Sequence, residues 1–395
     1  MKKTLLAAAL TVGFFGVAQA ETSVTLYGIL DGGIGYQHTS GTLKGADAGS
    51  TKTGMINGIQ SGDRWGLKGT EDLGDGLHVV FQLESGFDLG TGKSAQGGRL
   101  FGRQATLGLQ GDSWGRLDIG RQTNIASKYI GAFDPFGASF SRANAGTTFG
   151  SANTYRVDNM VMYQTPNFSG FQFGVGYSFN TDGSINAGDE DTSQNDNNAR
   201  EITTGLQYVN GPIAVAATYD RLMLGQGINS TSTTTANTTT GAITTTTTPG
   251  DKINVSEWTL GGSYDFEVVK AYLAFSQNRN GVFAGGDTTV DGGTIFGTQG
   301  ALDGFRANSY LVGLSAPLGA GNLMFSWQMS DANRTDDSVK DANGITSKQN
   351  IFGLGYTYNL SKRTNLYVWG DYTKHALYQD DLKTSEVGVG LRHQF

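Results

Sequence analysis

The chain has no cysteine, and past its first twenty residues it has no apolar run approaching the ~18 residues that a membrane helix needs. Zero cysteine excludes a disulfide scaffold and any thiolate metal site. An excess of base is missing too. Without Lys2 and Lys3 of the N-terminal segment, 26 basic residues face 35 acidic ones, a net of −9. That balance argues against a nucleic-acid partner. The 60 glycines follow no three-residue repeat, so collagen is excluded. Catalytic and metal-binding patterns are absent as well. The G-x-S-x-G spacing at Gly111-Asp112-Ser113-Trp114-Gly115 falls on a short turn between two alternating segments, not on the strand-to-helix elbow that a nucleophilic serine needs, and no H-E-x-x-H or paired-His spacing occurs. The histidines are His38, His78, His375 and His393, scattered between loops and strands. No enzyme, cofactor or metal is expected.

What is present is a period of two. Reading back from the end, Phe395, His393, Leu391, Val389 and Val387 are apolar or aromatic, and the residues between them are glycine or polar. Such a strand has one greasy face and one wet face. Leu323, Phe325, Trp327 and Met329 share a parity, as do Tyr310, Val312, Leu314 and Ala316, and Phe352, Leu354, Tyr356 and Tyr358. A soluble sandwich or propeller would alternate in the same way. In a chain built almost wholly of such strands, lipid is the simpler cover. Without a membrane helix, the only spanning form is a closed barrel, because an open sheet leaves backbone groups unpaired in hydrocarbon. The mean hydropathy of −0.28 agrees, since only half of each strand faces lipid. The 16 Tyr, 21 Phe and 5 Trp suit aromatic girdles at the two interfaces.

The N-terminus carries Lys2 and Lys3, an apolar run from Leu5 to Val17, then Ala18-Gln19-Ala20. This reads as a secretory signal peptide over residues 1–20, cleaved to leave Glu21 first. Residues 21–395 then form one barrel domain in the bacterial outer membrane.

Alternating segments are joined by short and long connections in strict turn. Short turns fall at 71–76, 111–114, 166–170, 210–211, 265–267, 318–321 and 361–363. About sixteen strands result, an even number, as outer-membrane barrels have. The first is read as Ser23 to Tyr36, followed by a polar segment from Gln37 to Gly58 and a second strand from Gln60 to Gly69. The fourth is read as Arg99 to Gln110. The acid-rich stretch 182–196 and the threonine-rich stretch 230–248 read as exterior loops. The amine of Glu21 is expected to pair with the carboxylate of Phe395 where the barrel closes.

Several pieces resemble the general diffusion porins of Gram-negative outer membranes, in the branch typical of β-proteobacteria. They are Val24-Thr25-Leu26-Tyr27-Gly28, the run from Arg64 to Leu77 (RWGLKGTEDLGDGL), Phe81 to Phe87 (FQLESGF), Gly102-Arg103-Gln104, Gly120-Arg121-Gln122, Tyr163 to Gly170 (YQTPNFSG), Leu360 to Thr364 (LSKRT) and Gly390-Leu391-Arg392-His393. Each is weak alone, but together they span the mature chain in order. The resemblance implies an all-β, sixteen-stranded transmembrane barrel, a homotrimer, and a third extracellular loop folded into the lumen. It also implies contact with outer-membrane lipid and lipopolysaccharide, and assembly by machinery that reads the terminal Phe395.

The segment from Gln122 to Tyr155 fits an inward loop, being rich in aromatic and small residues. Within it, Asp134-Pro135-Phe136-Gly137 resembles the turn at the family's loop tip. A pore selects by the charges of its narrowest ring. Alternation leaves Arg64 and Lys68 inside on the second strand. By resemblance the basic wall adds Arg103, Arg121 and Arg156. Simple alternation sets Arg103 with Leu107 and Leu109, on the opposite parity, unless a bulge intervenes. The loop offers Asp134 against this wall, with Lys128 and Arg142 beside it. The expected function is passive diffusion of ions and small hydrophilic solutes with mild anion preference. A substrate-specific channel for a sugar or carboxylate is the alternative.

Overall fold

The computed structural model describes residues 23–181, 199–224, 231–236, 243–248, 252–283, 289–290, 293–296 and 300–395. The leader and Glu21 lie outside the described residues, as do residues 182–198. The described residues form sixteen antiparallel barrel strands. In order they are β1 (Ser23–Ser40), β2 in two segments (Ser50–Asn57 and Arg64–Gly74), β3 (Leu77–Gly86), β4 (Gln104–Gly111), β5 (Gly115–Thr123), β6 (Arg156–Gln164), β7 (Phe171–Ser178) and β8 (Arg200–Asn210). The second half comprises β9 (Ile213–Met223), β10 (Asn254–Asp265), β11 (Lys270–Gly281), β12 (Ala301–Leu318), β13 (Gly321–Asp331), β14 (Gln349–Asn359), β15 (Thr364–Lys374) and β16 (Lys383–Gln394).

Each strand pairs with its chain neighbours, and β1 pairs with β16 from Ile29↔Gln394 to Ser40↔Lys383. The sheet therefore has no edge, which lets its backbone sit in hydrocarbon. Phe395 completes the seam: its N–H donates to Gly28 O and its carbonyl accepts from Gly28 N, both at 3.1 Å. The terminal ring lies on Gly28, where any side chain would collide with it. The end of the chain is thus set opposite Gly28.

The greasy face points outward. Val387, Val389, Leu391 and Phe395 are all exposed, as are Leu354, Leu273 and Val312 on their strands. The seven short turns fall between the strands as read, all at one end, with the long loops at the other.

Several strand ends differ from the sequence reading, and two of the differences bear on the site. β1 continues to Ser40, and Ser50–Asn57 pairs with it from Thr39↔Ser50 to Gly32↔Asn57. In sequence this stretch is polar and reads as a loop; backbone pairing, not hydropathy, makes it a strand. The real interruption is residues 58–63. Asp31 and Asp63 hold it: Asp31 N donates to Asp63 Oδ1 and Ser61 N to Asp31 Oδ2, both at 2.6 Å. Second, β4 begins at Gln104, not Arg99. Arg103 precedes the strand, so alternation with Leu107 and Leu109 does not govern it.

Candidate pore constriction

The interior is crossed by residues 124–155, between β5 and β6. Asn124 caps a short helix, α1 (Ile125–Tyr129), by accepting from Ser127 N at 3.2 Å. The segment then follows the inner wall. Ile125 meets Gly174 of β7 and Gly205 of β8, Phe133 meets Gly261 of β10, Pro135 meets Gly313 of β12, and Phe136 and Ala143 meet Gly355 and Gly353 of β14. All six glycines alternate with lipid-facing residues, so they point inward. A Cβ on Gly261 would stand 2.6 Å from Phe133 Cβ, and one on Gly313 2.7 Å from Pro135 Cγ. The glycines form a bed that lets the loop lie close to the wall.

Polar contacts fix the loop's two ends. Ile125 N donates to Thr203 Oγ1 at 2.9 Å, and Asn124 Nδ2 donates to Asp220 Oδ1 and Ser151 O, both at 2.8 Å. Ser151 N donates to Glu257 Oε2 at 3.1 Å. Asp220, Glu257 and their neighbour Glu201 are fully covered behind the loop and do not face the open lumen. At the far side, Phe140 N donates to Ile59 O in the β2 interruption at 2.6 Å. Phe136 and Phe140 pack with Tyr367, Trp369 and Met324 in one buried cluster.

Asp134 does not meet the basic wall. It is buried, accepting from Phe136 N at 3.0 Å and Ala138 N at 2.7 Å. It serves as the clamp of the tip turn, with Gly137 at φ 59° closing it. Burial pushes its carboxyl up to about 6. The parity argument does not reach this residue because a loop has no alternation. Arg142 is turned to β15 and β16, 3.0 Å from Glu386 and 3.9 Å from Asp371. Lys128 sits on the last turn of α1. Lost hydration lowers its ammonium pKa, and nearby Asp118 acts against the shift.

The opposite wall is β2 to β6. Arg103 Nε donates to Glu84 Oε1 at 2.7 Å, and Arg64 lies 4.0 Å from the same oxygen. Arg121 Nε donates to Gly102 O at 2.8 Å, and its guanidinium shares Asp158 with Arg99, which stands at 2.6 Å. Arg156 opens β6 within electrostatic reach of Arg103, Arg64 and Arg121. Its Nε is buried without a hydrogen-bond partner among the described residues. Lys68 is exposed, 5.4 Å from the Tyr27 ring. Four arginines are thus served by two carboxylates, and Arg156 stands beside them paired with neither among the described residues. Arg99 and Asp158 were missed in the sequence. Asp158 lies at a bulge of β6, where Met160 pairs with Gly120 but Val157 with Gln122, so alternation counted from Met160 and Met162 does not reach it. Arg99 has no alternation to follow, because it lies in a loop.

A Gram-negative porin family model matches residues 6–375. The chain is 54% identical to an outer membrane porin protein of Bordetella pertussis, with all of both chains covered. It is 30% identical to outer membrane porin protein 32 of Delftia acidovorans, again over all of both chains. Among solved structures, the anion-selective porin from Comamonas acidovorans matches at 27% identity and a TM-score of 0.64, covering 95% of this chain and 100% of that one. With its edgeless sixteen-stranded barrel, inward loop and full-length match, the chain belongs to the Gram-negative porin family and forms a channel of the outer membrane.

Proposed function

We propose that the channel passes ions and small hydrophilic solutes by passive diffusion, with a mild preference for anions. The observation that carries this is the imbalance at the constriction: Arg64, Arg99, Arg103 and Arg121 share Glu84 and Asp158, Arg156 adds a fifth cation near them, and the loop's own acid, Asp134, is buried away from the water. The net charge of −9 does not oppose it. Much of that acid lies in long loops, and charges beyond a Debye length of about 8–10 Å are screened. The anion-selective relative supports the same sign.

Reversal potential in a salt gradient across a planar bilayer tests the reading. An anion-selective sign is expected, and a cation-selective sign overturns it. Flux that rises linearly with solute concentration is expected. Saturation with a sugar or a carboxylate would favour a substrate-specific channel instead.

The assembly reading is that residues 1–20 are removed on export, that Phe395 is the handle for barrel insertion, and that the barrel is a homotrimer. The trimer is supported by the outward face of β1 and β2, where Val24, Leu26, Ile34 and Met55 are each at least 60% exposed. Chemical cross-linking of the folded protein checks the trimer.

A further inference from the structure

A regular ladder between β1 and β2 takes equal numbers of residues from each strand. On the short-turn side of the interruption Ile29 faces Arg64, and on the long-loop side Gly32 faces Asn57. Six residues of β2, 58–63, thus stand against Leu30 and Asp31 of β1, four more than the register takes up. Extra residues in one strand bend it and re-aim its side chains. Here they go inward, where Ile59 packs against the buried cluster of Phe136, Phe140, Tyr367 and Trp369. On its other edge β1 pairs with β16 past this point without a break, so the irregularity is confined to β2.

The inserted residues touch both sides of the constriction. Ile59 O accepts from Phe140 N of the inward loop at 2.6 Å. Gly62 O accepts from Arg64 Nε at 2.8 Å. The Arg103 guanidinium lies against Gly62, where a Cβ would stand 3.1 Å from Nη1. One short stretch of backbone therefore meets the loop at one end and two wall arginines at the other.

A single carboxylate joins these contacts. Asp31 is fully buried. Its Oδ2 accepts from Ser61 N, and its Oδ1 accepts from the Tyr367 hydroxyl, both at 2.6 Å. The Tyr367 ring stands edge-on to Phe140, with centroids 5.6 Å apart. One oxygen of Asp31 thus holds the inserted backbone, and the other holds the ring on which Phe140 rests. Arg392 of β16 reinforces the same stretch, its Nε donating to Ser61 Oγ at 2.9 Å. Side chains that aim a functional group must themselves be locked by packing and hydrogen bonds, and Asp31 supplies that lock here.

We propose that Asp31 is a positioning residue of the constriction: by fixing the 58–63 insertion to Tyr367, it sets both the place of the inward loop at Phe140 and the aim of Arg64 and Arg103. Asp31 is shielded from permeating ions, so it acts through the arginines and not on the ion. This role rests on the anion preference proposed above and adds to it the residue that orients the wall.

Single-channel recording in planar bilayers tests it with two variants. Asp31→Asn keeps the shape of the side chain but removes its charge and one acceptor. Tyr367→Phe removes only the hydroxyl. A carboxylate acting directly on ions would, once neutralised, raise the anion-to-cation permeability ratio. A positioning residue does the opposite. The ratio in Asp31→Asn is expected to fall by about two-fold or more, with larger fluctuations of the open-channel current as the loop loosens. Tyr367→Phe, which changes no charge, is expected to move both readouts in the same direction. The double variant is expected to differ little from Asp31→Asn, because both changes break one shared contact. A ratio that rises or stays unchanged in Asp31→Asn overturns the role. Currents of Tyr367→Phe identical to those of the unaltered protein also overturn it, and this arm stands alone if Asp31→Asn does not fold. Effects that simply add in the double variant reject the link between insertion and ring. A cation-selective unaltered channel whose current fluctuations still grow in both variants would reject the selectivity reading and leave the positioning of the loop standing.

Discussion

Along β2 to β6 the inward side chains near the constriction are long and cationic, while along β7 to β14 the inward positions that meet the loop are glycines. The arginines need reach and water. Each keeps a hydrogen bond or a shared carboxylate, or, like Arg156, stands among its own kind with Nε unpartnered among the described residues. The glycines need closeness: Phe133, Pro135 and Phe136 lie where a Cβ would stand. One wall is thus shaped by electrostatics and the other by volume. The loop covers Glu201, Asp220 and Glu257 behind it, so acids on the packed wall do not offset arginines on the open one.

The strongest way to break this contrast is to remove the charge. Arg103→Gln, Arg121→Gln and Arg156→Gln together leave Glu84 and Asp158 with fewer cations. The anion-to-cation permeability ratio is expected to fall by about ten-fold or more and to reverse sign, read from the reversal potential. Next is the volume side. Gly261→Val places a branched side chain where Phe133 sits, and overpacking of this kind costs about 1–3 kcal/mol. The loop is expected to be pushed toward the arginines, lowering single-channel conductance to about half or less with little change of selectivity. Conductance equal to that of the unaltered protein would show that the glycine bed is dispensable.

A smaller effect concerns Asp134. Its carboxyl is raised to about 6 from an ordinary 3.8, so the folded state holds the proton more tightly than the unfolded chain does. Its contribution is therefore fully present below about 4 and lost as pH rises through about 6, by on the order of 3 kcal/mol. The melting temperature is expected to fall between pH 4 and pH 7 by an increment that Asp134→Asn removes. An identical pH slope in the variant would reject the assignment. Lys68→Gln should do least, because Lys68 is exposed beside Tyr27 and its charge is already screened. A shift in permeability ratio below about two-fold is expected in the same bilayer measurement.

Parts of the site were legible in the sequence to different degrees. Arg64, Lys68 and Glu84 sit on strands, where a period of two names the face. Arg103 and Asp134 sit in connections, where no period exists, and the structure alone shows one paired with Glu84 and the other buried under its own turn. The strand Ser50–Asn57 was invisible because its partner, not its side chains, defines it. Arg142 gives no hint in the sequence of meeting Glu386, 244 positions away.

Residue order alone established an alternating membrane chain with about sixteen strands, two kinds of connection and, past its first twenty residues, no membrane helix. Alternation is a local property, written in each strand separately. Which charges face water, which are paired across strands and which lie under the loop was decided only by the closed barrel. Closure fixes the register of β1 against β16, and register decides which side chains meet across strands far apart in the chain.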